Sequence, residues 1–171
     1  DAVAAAADLI GAACQDGATA RRPIVIVCGD SPLLRPTSVT GLLEAFARTG
    51  AACLLGTAIT DNPTGLGRIV RDNTGRFRRI TEEKDATAAE RSIREVNMST
   101  YVFAADSLLA SLEQLDTANA AGEYYLTDCP RLLLEAGERV DAVACLDSSE
   151  TLSVNTPDQL AAVAAVLAGR P

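Results

Sequence analysis

The sequence predicts an α/β domain built on a mainly parallel β-sheet. Pro23–Cys28 reads Pro-Ile-Val-Ile-Val-Cys, an apolar run without polar alternation, which is typical of a strand buried on both faces. A helical pattern over Pro36–Arg48, with Pro in its first turn, and a second apolar run over Ala51–Ile59 follow it. This strand–helix–strand alternation favours a sheet whose strands are joined by right-handed crossovers.

The segment before the first strand is predicted to be a helix and a link. Ala2–Cys14 is rich in Ala, the best helix former, and Asp1 is a suitable N-cap for it. Gln15–Arg22 is polar and is predicted to connect this helix to the first strand.

The middle of the chain predicts an inserted β-hairpin. Gly67–Arg71 and Arg76–Thr81 flank the turn sequence Asp72-Asn73-Thr74-Gly75.

The sequence contains no internal repeat or linker, so we predict a single domain over residues 1–171. The remaining predicted elements are a short helix at Asp85–Ser92, a strand at Glu95–Phe103, helices at Ala104–Leu115 and Tyr124–Ala136, a strand at Val140–Leu146 and a helix at Thr156–Leu167.

The acidic charge and the absence of histidine limit the chemistry. A formal net charge of -8 repels nucleic acid and anionic lipid, so we predict neither nucleic acid nor membrane as a partner. A phosphate ligand would need local Lys or Arg, backbone N–H groups or a divalent cation. The chain has no His, which excludes Ser–His and Cys–His catalysis and disfavours a zinc site.

The cysteines and the hydropathy pattern predict a cytoplasmic protein. The five cysteines are odd in number and form no C-x-x-C motif, which favours a reducing compartment. No apolar run approaches the ~18 residues of a membrane span, and no signal-peptide pattern opens the chain.

Two polar residues end strand-like runs, where an α/β sheet binds ligands. Gly29-Asp30 ends the first strand, where a Gly permits close approach and an Asp offers a hard oxygen ligand. Asn155 ends the strand-like run Leu152-Ser153-Val154-Asn155, just before a helix, and could supply a second metal ligand. The alternatives are that Asp30 only caps a turn and that Asn155 or Thr156 only caps the helix.

Four further segments carry candidate ligand contacts. They are Asn62–Val70 with Gly65 and Gly67, Thr81–Thr87 with Glu82 and Lys84, Glu95–Ser99 with Asn97, and Gly122–Asp128 with Tyr125 and Thr127. Glu82 could accept from a sugar hydroxyl and Lys84 could neutralise a phosphate, although a charge cluster is more often a solvated face. A buried Asn97 would need partners for both ends of its amide, from a ligand or from the backbone.

In this order, these segments resemble the bacterial N-acetylglucosamine-1-phosphate uridyltransferase family, within the nucleotide-diphospho-sugar transferase superfamily. The most specific parts are Asn62–Val70, Glu82–Thr87 (Glu-Glu-Lys-Asp-Ala-Thr) and Gly122–Asp128 (Gly-Glu-Tyr-Tyr-Leu-Thr-Asp). The resemblance implies a Rossmann-like mixed, mainly parallel sheet. It also implies formation of UDP-N-acetylglucosamine and pyrophosphate from UTP and N-acetylglucosamine-1-phosphate.

The resemblance also implies roles for individual residues. Asp30 and Asn155 would hold Mg²⁺, the cofactor of the expected reaction. The other implied contacts are to the sugar nucleotide, through Cys28, Gly29, Gly67, Glu82, Lys84, Asn97, Tyr125 and Thr127.

This sequence departs from the family pattern in places. Cys28 stands where Tyr is frequent, Leu66 replaces a frequent Tyr, and Met98-Ser99 replaces a frequent Thr-Gly. The family's first strands and its Gly-rich loop with Arg and Lys have no counterpart in the sequence, so we expect an N-terminally incomplete domain with little activity alone. The alternatives are a non-catalytic module of the same fold and a pyrophosphorylase for another sugar-1-phosphate.

Overall fold

The computed structural model describes residues 2–14, 21–117 and 122–169, which form a mixed β-sheet with helices on both faces. The strands are β1 (Pro23–Val27), β2 (Cys53–Ile59), β3 (Arg68–Arg71), β4 (Phe77–Thr81), β5 (Glu95–Ala104) and β6 (Val140–Ala144). The helices are α1 (Ala7–Cys14), α2 (Pro36–Thr49), α3 (Ala88–Arg91), α4 (Ala105–Leu112), α5 (Cys129–Glu135) and α6 (Pro157–Ala168). Short 3₁₀ turns span Ala4–Ala6, Leu126–Asp128 and Ser148–Thr151.

The sheet is mixed as predicted, but it is not mainly parallel in its pairings. The strand order is β4-β3-β5-β2-β6, and β1 pairs with β5. Strand β5 runs antiparallel to β1, β2 and β3, and among the strands of the described residues only β2 and β6 pair in parallel. Strands β1 and β2 therefore do share a direction, as expected for a crossover connection, but β5 is inserted between them.

The prediction that the first strand is buried on both faces is wrong. Strand β1 alternates between exposed and half-buried residues, and Val25 and Val27 are 38% and 47% exposed. Within the described residues β1 pairs with β5 alone, so its other edge has no strand beside it. Strand β2, flanked by β5 and β6, is buried along nearly its whole length.

Helices cover the two faces of the sheet with separate apolar clusters. On one face, Leu42 and Phe46 of α2 pack on Leu54 and Val102 of the sheet. On the other face α1, α4 and α5 cover a larger core that contains Tyr101. No helix among the described residues has the length and apolarity needed to span a lipid bilayer.

Most predicted elements are present, although helices α1, α3, α4 and α5 are shorter than predicted. The predicted helix Asp85–Ser92 is reduced to α3, which begins after Thr87 in a capping box with Glu90. The predicted helix Tyr124–Ala136 is a 3₁₀ turn followed by α5. The predicted N-cap Asp1 and all but the last two residues of the predicted link at 15–22 lie outside the described residues.

Candidate functional site

The candidate site lies where two strands share one edge of β5. Strand β1 occupies that edge as far as the pair Val27–Thr100, and β3 takes it over at the pair Arg68–Val96. The register between β2 and β5 shifts at this same point, so Met98 and Ser99 form a bulge. A bulge redirects side chains and interrupts pairing. Three loops can therefore converge at this interruption in the sheet.

Ser99 marks the bulge by its backbone conformation. Its φ of 47° makes it the one non-Gly residue with positive φ among the described residues. A left-handed conformation is disfavoured for residues that carry a Cβ and recurs at functional sites. Sequence reasoning noted the Met98-Ser99 pair but could not foresee this geometry.

The converging loops enclose a small cavity of about 210 Å³, which we call the Asp30 cavity. Its lining contains two carboxylates and, among the described residues, no Lys or Arg. The lining residues are Cys28, Asp30, Ser31, Gly65, Leu66, Gly67, Glu82, Asn97, Met98, Ser99, Thr151, Ser153 and Asn155. Six residues predicted from the sequence are among them.

A backbone hydrogen bond brings Asp30 and Asn155 to the same cavity. The N–H of Val154 donates to the backbone carbonyl of Asp30 at 2.9 Å, across more than 120 residues of chain. Thr156, not Asn155, caps α6 by accepting from the N–H of Gln159 at 3.2 Å. The helix-cap alternative therefore applies to Thr156 and leaves the side chain of Asn155 for the cavity.

The donor set suits a hard divalent cation. Asp30 is exposed and its Oδ1 accepts a bond from Ser31 Oγ at 3.3 Å. The amide nitrogen of Asn155 donates to Ser153 Oγ at 3.4 Å, and within the described residues its Oδ1 accepts no hydrogen bond. One carboxylate and one amide oxygen match the few protein ligands that Mg²⁺ takes when phosphates and water complete its shell. The described residues contain no group of three or more His, Cys, Asp or Glu able to hold a metal.

The buried side chain of Asn97 is held by the protein at both ends. Its Nδ2 donates to Tyr101 Oη at 2.8 Å, and its Oδ1 accepts from the N–H of Ser99 at 3.3 Å. Its backbone N–H donates to the carbonyl of Gly67 at 2.8 Å. Each end of the amide retains capacity for one more bond, so the protein orients Asn97 and leaves it able to contact a ligand.

Gly67 and Glu82 pack against one another beside Asn97. A Cβ on Gly67 would lie 2.9 Å from Ile80 Cγ2, 3.5 Å from Asn97 Cβ and 3.5 Å from Glu82 Oε1. Burial raises the pKa of the Glu82 carboxyl, against an opposing hydrogen bond from Thr127. The site therefore needs glycine at position 67 and holds a partly desolvated carboxylate.

The remaining predicted contacts line an adjoining cavity of about 370 Å³, which we call the Lys84 cavity. Lys84, Tyr125 and Thr127 lie in its lining, together with Cys28 and Glu82, which it shares with the Asp30 cavity. Desolvation raises the pKa of the Tyr125 phenol, and nearby carboxylates raise it further. Gly29, the last predicted contact, lies in the exposed turn between Cys28 and Asp30.

Three charged residues that support the site were missed by sequence reasoning. Arg68 is 1% exposed and forms an ion pair with Glu83, and Glu150 is also 1% exposed. The sequence Asp147-Ser148-Ser149-Glu150 fits a capping box, which the structure contains. That pattern could have identified Glu150, whereas nothing local pairs Arg68 with Glu83.

Comparisons with known proteins place the chain among nucleotidyl transferases. The family model described as Nucleotidyl transferase matches residues 1–148. The bifunctional protein GlmU of Heliobacterium modesticaldum is 42% identical over 147 residues, which cover 86% of this chain and 32% of that protein. GlmU of Geobacter metallireducens is 45% identical over 150 residues, which cover 88% and 31%. The chain thus spans about a third of the length of these relatives.

A solved structure supports the fold. The crystal structure assigned as a glucose-1-phosphate thymidylyltransferase of Bacillus anthracis, in complex with a sucrose, aligns with a TM-score of 0.70 at 16% identity. The alignment covers 99% of this chain and 61% of that one. The predicted nucleotide-sugar transferase fold is confirmed, with the correction to its strand pairing given above.

Proposed function

This chain belongs to the nucleotidyl transferase family, and from that premise we propose that it carries the sugar-phosphate and metal side of a site that forms UDP-N-acetylglucosamine. The reaction would join UTP and N-acetylglucosamine-1-phosphate and release pyrophosphate. One observation carries the proposal: Asp30, Glu82, Asn97 and Asn155 line a single cavity, although they come from four separate segments. The choice of this sugar follows the family resemblance noted in the sequence, and the chain is more than 40% identical to two GlmU proteins.

The chemistry needs no general base from the protein. A phosphate oxygen of the sugar-1-phosphate attacks the α-phosphorus of UTP, and the bond between the α-phosphorus and the bridging oxygen breaks to release pyrophosphate. The nucleophile is already an anion at neutral pH, so a chain without His can support the step. Catalysis of such transfers depends mainly on positioning and charge neutralisation.

The described residues are suited to positioning the sugar. In the proposal the Glu82 carboxylate accepts from a sugar hydroxyl, and the partial burial of Glu82 strengthens that bond. Asn97 uses the free capacity of its amide on the same sugar, from a side chain that Tyr101 and Ser99 already orient. Tyr125 and Thr127 line the adjoining Lys84 cavity, into which the sugar would extend.

The negative charge of the site makes a cation part of the proposal. Asp30 and Glu82 line the Asp30 cavity, and no Lys or Arg of the described residues does so. Asp30 and the amide oxygen of Asn155 would hold Mg²⁺, which would supply the charge neutralisation that two polyanionic substrates require. Lys84, in the adjoining cavity, is placed to pair with a phosphate of the sugar nucleotide.

Isothermal titration calorimetry with UDP-N-acetylglucosamine in the presence of Mg²⁺ tests the proposal. We expect saturable binding that weakens when UDP-glucose replaces UDP-N-acetylglucosamine. Tighter binding of UDP-glucose or of another sugar nucleotide would favour a pyrophosphorylase for that sugar. Absence of binding by every sugar nucleotide would contradict the proposal and support a non-catalytic module of the same fold.

Turnover by the chain is expected to be weak. The described residues place no Lys or Arg in the lining of the Asp30 cavity, so this cavity would offer the triphosphate no cationic side chain. Pyrophosphate release from UTP and N-acetylglucosamine-1-phosphate should therefore be slow or undetectable even where calorimetry detects binding. Rapid release would contradict this part of the proposal.

A further inference from the structure

A buried arginine connects the two loops that contribute Gly67 and Glu82 to the site. The Arg68 side chain is only 2% exposed, and its Nη2 lies 2.6 Å from Glu83 Oε2. Its Nη1 donates to the backbone carbonyl of Leu66. Burying a guanidinium is costly unless it is paired and hydrogen-bonded, so these contacts constrain the segments that supply them.

Glu83 closes the connection from the other side. The same Oε2 atom that contacts Arg68 accepts the backbone N–H of Gly65 at 3.2 Å. The hydrogen bond from Arg68 lowers the pKa of the Glu83 carboxyl below its usual range. The Gly65–Gly67 segment is therefore held to Glu83 in two ways. The N–H of Gly65 bonds to Glu83 directly, and the carbonyl of Leu66 bonds to Arg68, which pairs with Glu83.

The fixed segments are those that line the candidate site. Gly65 and Leu66 line the Asp30 cavity, and Glu82 immediately precedes Glu83 in the chain. The carbonyl of Gly67 accepts the backbone N–H of Asn97, and a Cβ at position 67 would lie too close to Ile80 Cγ2. A shift of the Gly65–Gly67 segment would therefore move the surroundings of both Glu82 and Asn97.

We propose that the Arg68–Glu83 ion pair is a positioning device, which holds the Gly65–Gly67 segment and Glu82 in the geometry that binds the sugar. The proposal rests on the function proposed above for the same site. Neither charge has to contact the ligand, because Arg68 acts through the segment that it fixes. The Nε atom of Arg68 is buried without a hydrogen-bond partner, which costs desolvation free energy. An apolar side chain at this position would avoid that cost, so stability alone does not explain the arginine.

The same strand contains a matched control pair. Arg71, three residues along β3, contacts Glu95 at 2.7 Å and also donates to the carbonyl of Ala142 at 2.7 Å. Its side chain is 27% exposed, and neither Arg71 nor Glu95 lines the Asp30 or Lys84 cavity. Substituting Arg71 therefore removes a comparable ion pair from β3 without touching the loops of the site.

The test compares Arg68→Met, Arg68→Lys and Arg71→Met in two measurements. Calorimetry measures the Kd for UDP-N-acetylglucosamine with Mg²⁺, and amide hydrogen exchange at Gly65 and Asn97 is measured without ligand. We expect Arg68→Met to raise the Kd by about 10- to 100-fold, as loss of an orienting partner does at metal sites. Exchange at Gly65 and Asn97 should accelerate at least about 10-fold because their acceptors are no longer held in place.

The control and the conservative variant separate positioning from general stability. Arg71→Met should lower the melting temperature but leave the Kd and the exchange at Gly65 and Asn97 near their wild-type values. Arg68→Lys should recover part of the affinity, since Lys keeps the charge but not the forked geometry.

The outcomes distinguish the inference from the proposed function. Unchanged exchange in Arg68→Met would overturn the positioning role, whatever the ligand data. Faster exchange with an unchanged Kd would also overturn it, because the pair would then be structural only. A wild-type chain that binds no sugar nucleotide would refute the proposed function, and the exchange data would still decide whether the pair fixes the segment.

Discussion

Replacing the buried carboxylate of Glu150 by an amide should destabilise the fold and disturb the metal side of the site. Glu150 Oε1 accepts the backbone N–H of Arg35 at 2.7 Å, at the start of α2. Its Oε2 accepts Ser38 Oγ at 2.8 Å and the backbone N–H of Asp147 at 2.7 Å. Glu150 therefore ties α2 to the segment that leads to Asn155.

The magnitude follows from the two backbone donors. Glutamine has one acceptor oxygen, so in Glu150→Gln the N–H of either Arg35 or Asp147 must face an amide NH₂ group. A buried N–H without a partner costs roughly 1–3 kcal/mol, and hydrogen bonds to a charged acceptor are about 1 kcal/mol stronger than those to a neutral one. We expect a total loss of about 2–4 kcal/mol in the free energy of unfolding. This loss corresponds to a fall in melting temperature of roughly 4–16 °C for a chain of this size.

Urea unfolding followed by circular dichroism measures this loss, with Glu135→Gln as the control. Glu135 makes an exposed ion pair with Arg131 on α5, so its substitution should change stability by less than about 1 kcal/mol. The Mg²⁺ dependence of ligand binding should weaken in Glu150→Gln alone, because Val154 and Asn155 lie on the segment it anchors. Equal stability of the two variants would refute the reasoning from buried donors.

Three further predictions concern residues at or near the site. Gly67→Ala should lower the free energy of unfolding by about 1–3 kcal/mol, because its Cβ would meet Ile80. The control Gly41→Ala on α2 has open space around its Cβ and should raise the free energy of unfolding by about 0.5–1 kcal/mol. Thermal denaturation of both variants checks this. Because the pKa of Glu82 is raised in the folded state, its ionisation destabilises the fold as the pH rises through that pKa, so Glu82→Gln should be more stable than wild type at pH 7 but not at pH 3, while losing affinity for the sugar nucleotide. Hydrogen bonds lower the pKa of Glu90 from 4.5 to about 2, so its stabilising effect is present above pH 4.5 and is lost as the pH falls towards 2; urea unfolding should show the deficit of Glu90→Gln shrinking over that interval, and a constant deficit would contradict the assignment.

Local patterns predicted the elements that depend on local chemistry. The sequence Asp72-Asn73-Thr74-Gly75 predicted the hairpin turn, and there Asp72 Oδ1 accepts the N–H groups of Thr74 and Arg76 while Gly75 has a φ of 82°. Helix α2 begins at the predicted Pro36 and ends at Gly50 in the left-handed conformation. In both cases the residues that decide the structure are neighbours in the chain.

The features that depend on distant partners could not be predicted in the same way. The apolar run Pro23–Cys28 indicated a strand, but its exposure depends on which strand lies beside it, and β5 was inserted where a parallel neighbour was expected. The ion pair between Arg68 and Glu83 joins residues 15 positions apart and has no sequence signature. The pattern also left open whether the ligand or the backbone would satisfy Asn97, and the structure has protein groups at both ends of its amide.

Six of the residues that line the Asp30 cavity were nevertheless predicted from the sequence as site residues. Asp30 and Asn155 come together because the turn after β1 meets the segment before α6, where the N–H of Val154 donates to the carbonyl of Asp30. The strand-like run predicted to end at Asn155 is not a strand in the structure. Asn155 lies beyond residues 1–148, which the family model matches, so its proposed role rests on the resemblance and on this geometry.

The most direct measurement of the central claim is the Mg²⁺ dependence of UDP-N-acetylglucosamine binding in Asp30→Asn, with Asp8→Asn as the control. Asp8 is an exposed residue of α1 and lines neither the Asp30 nor the Lys84 cavity, so that variant should bind as wild type does. Asp30→Asn removes the only anionic ligand proposed for the metal. It should keep its melting temperature but lose the increase in affinity that Mg²⁺ produces in wild type. A folded Asp30→Asn variant with the full Mg²⁺ effect would contradict the assignment of Asp30 as the metal-binding residue.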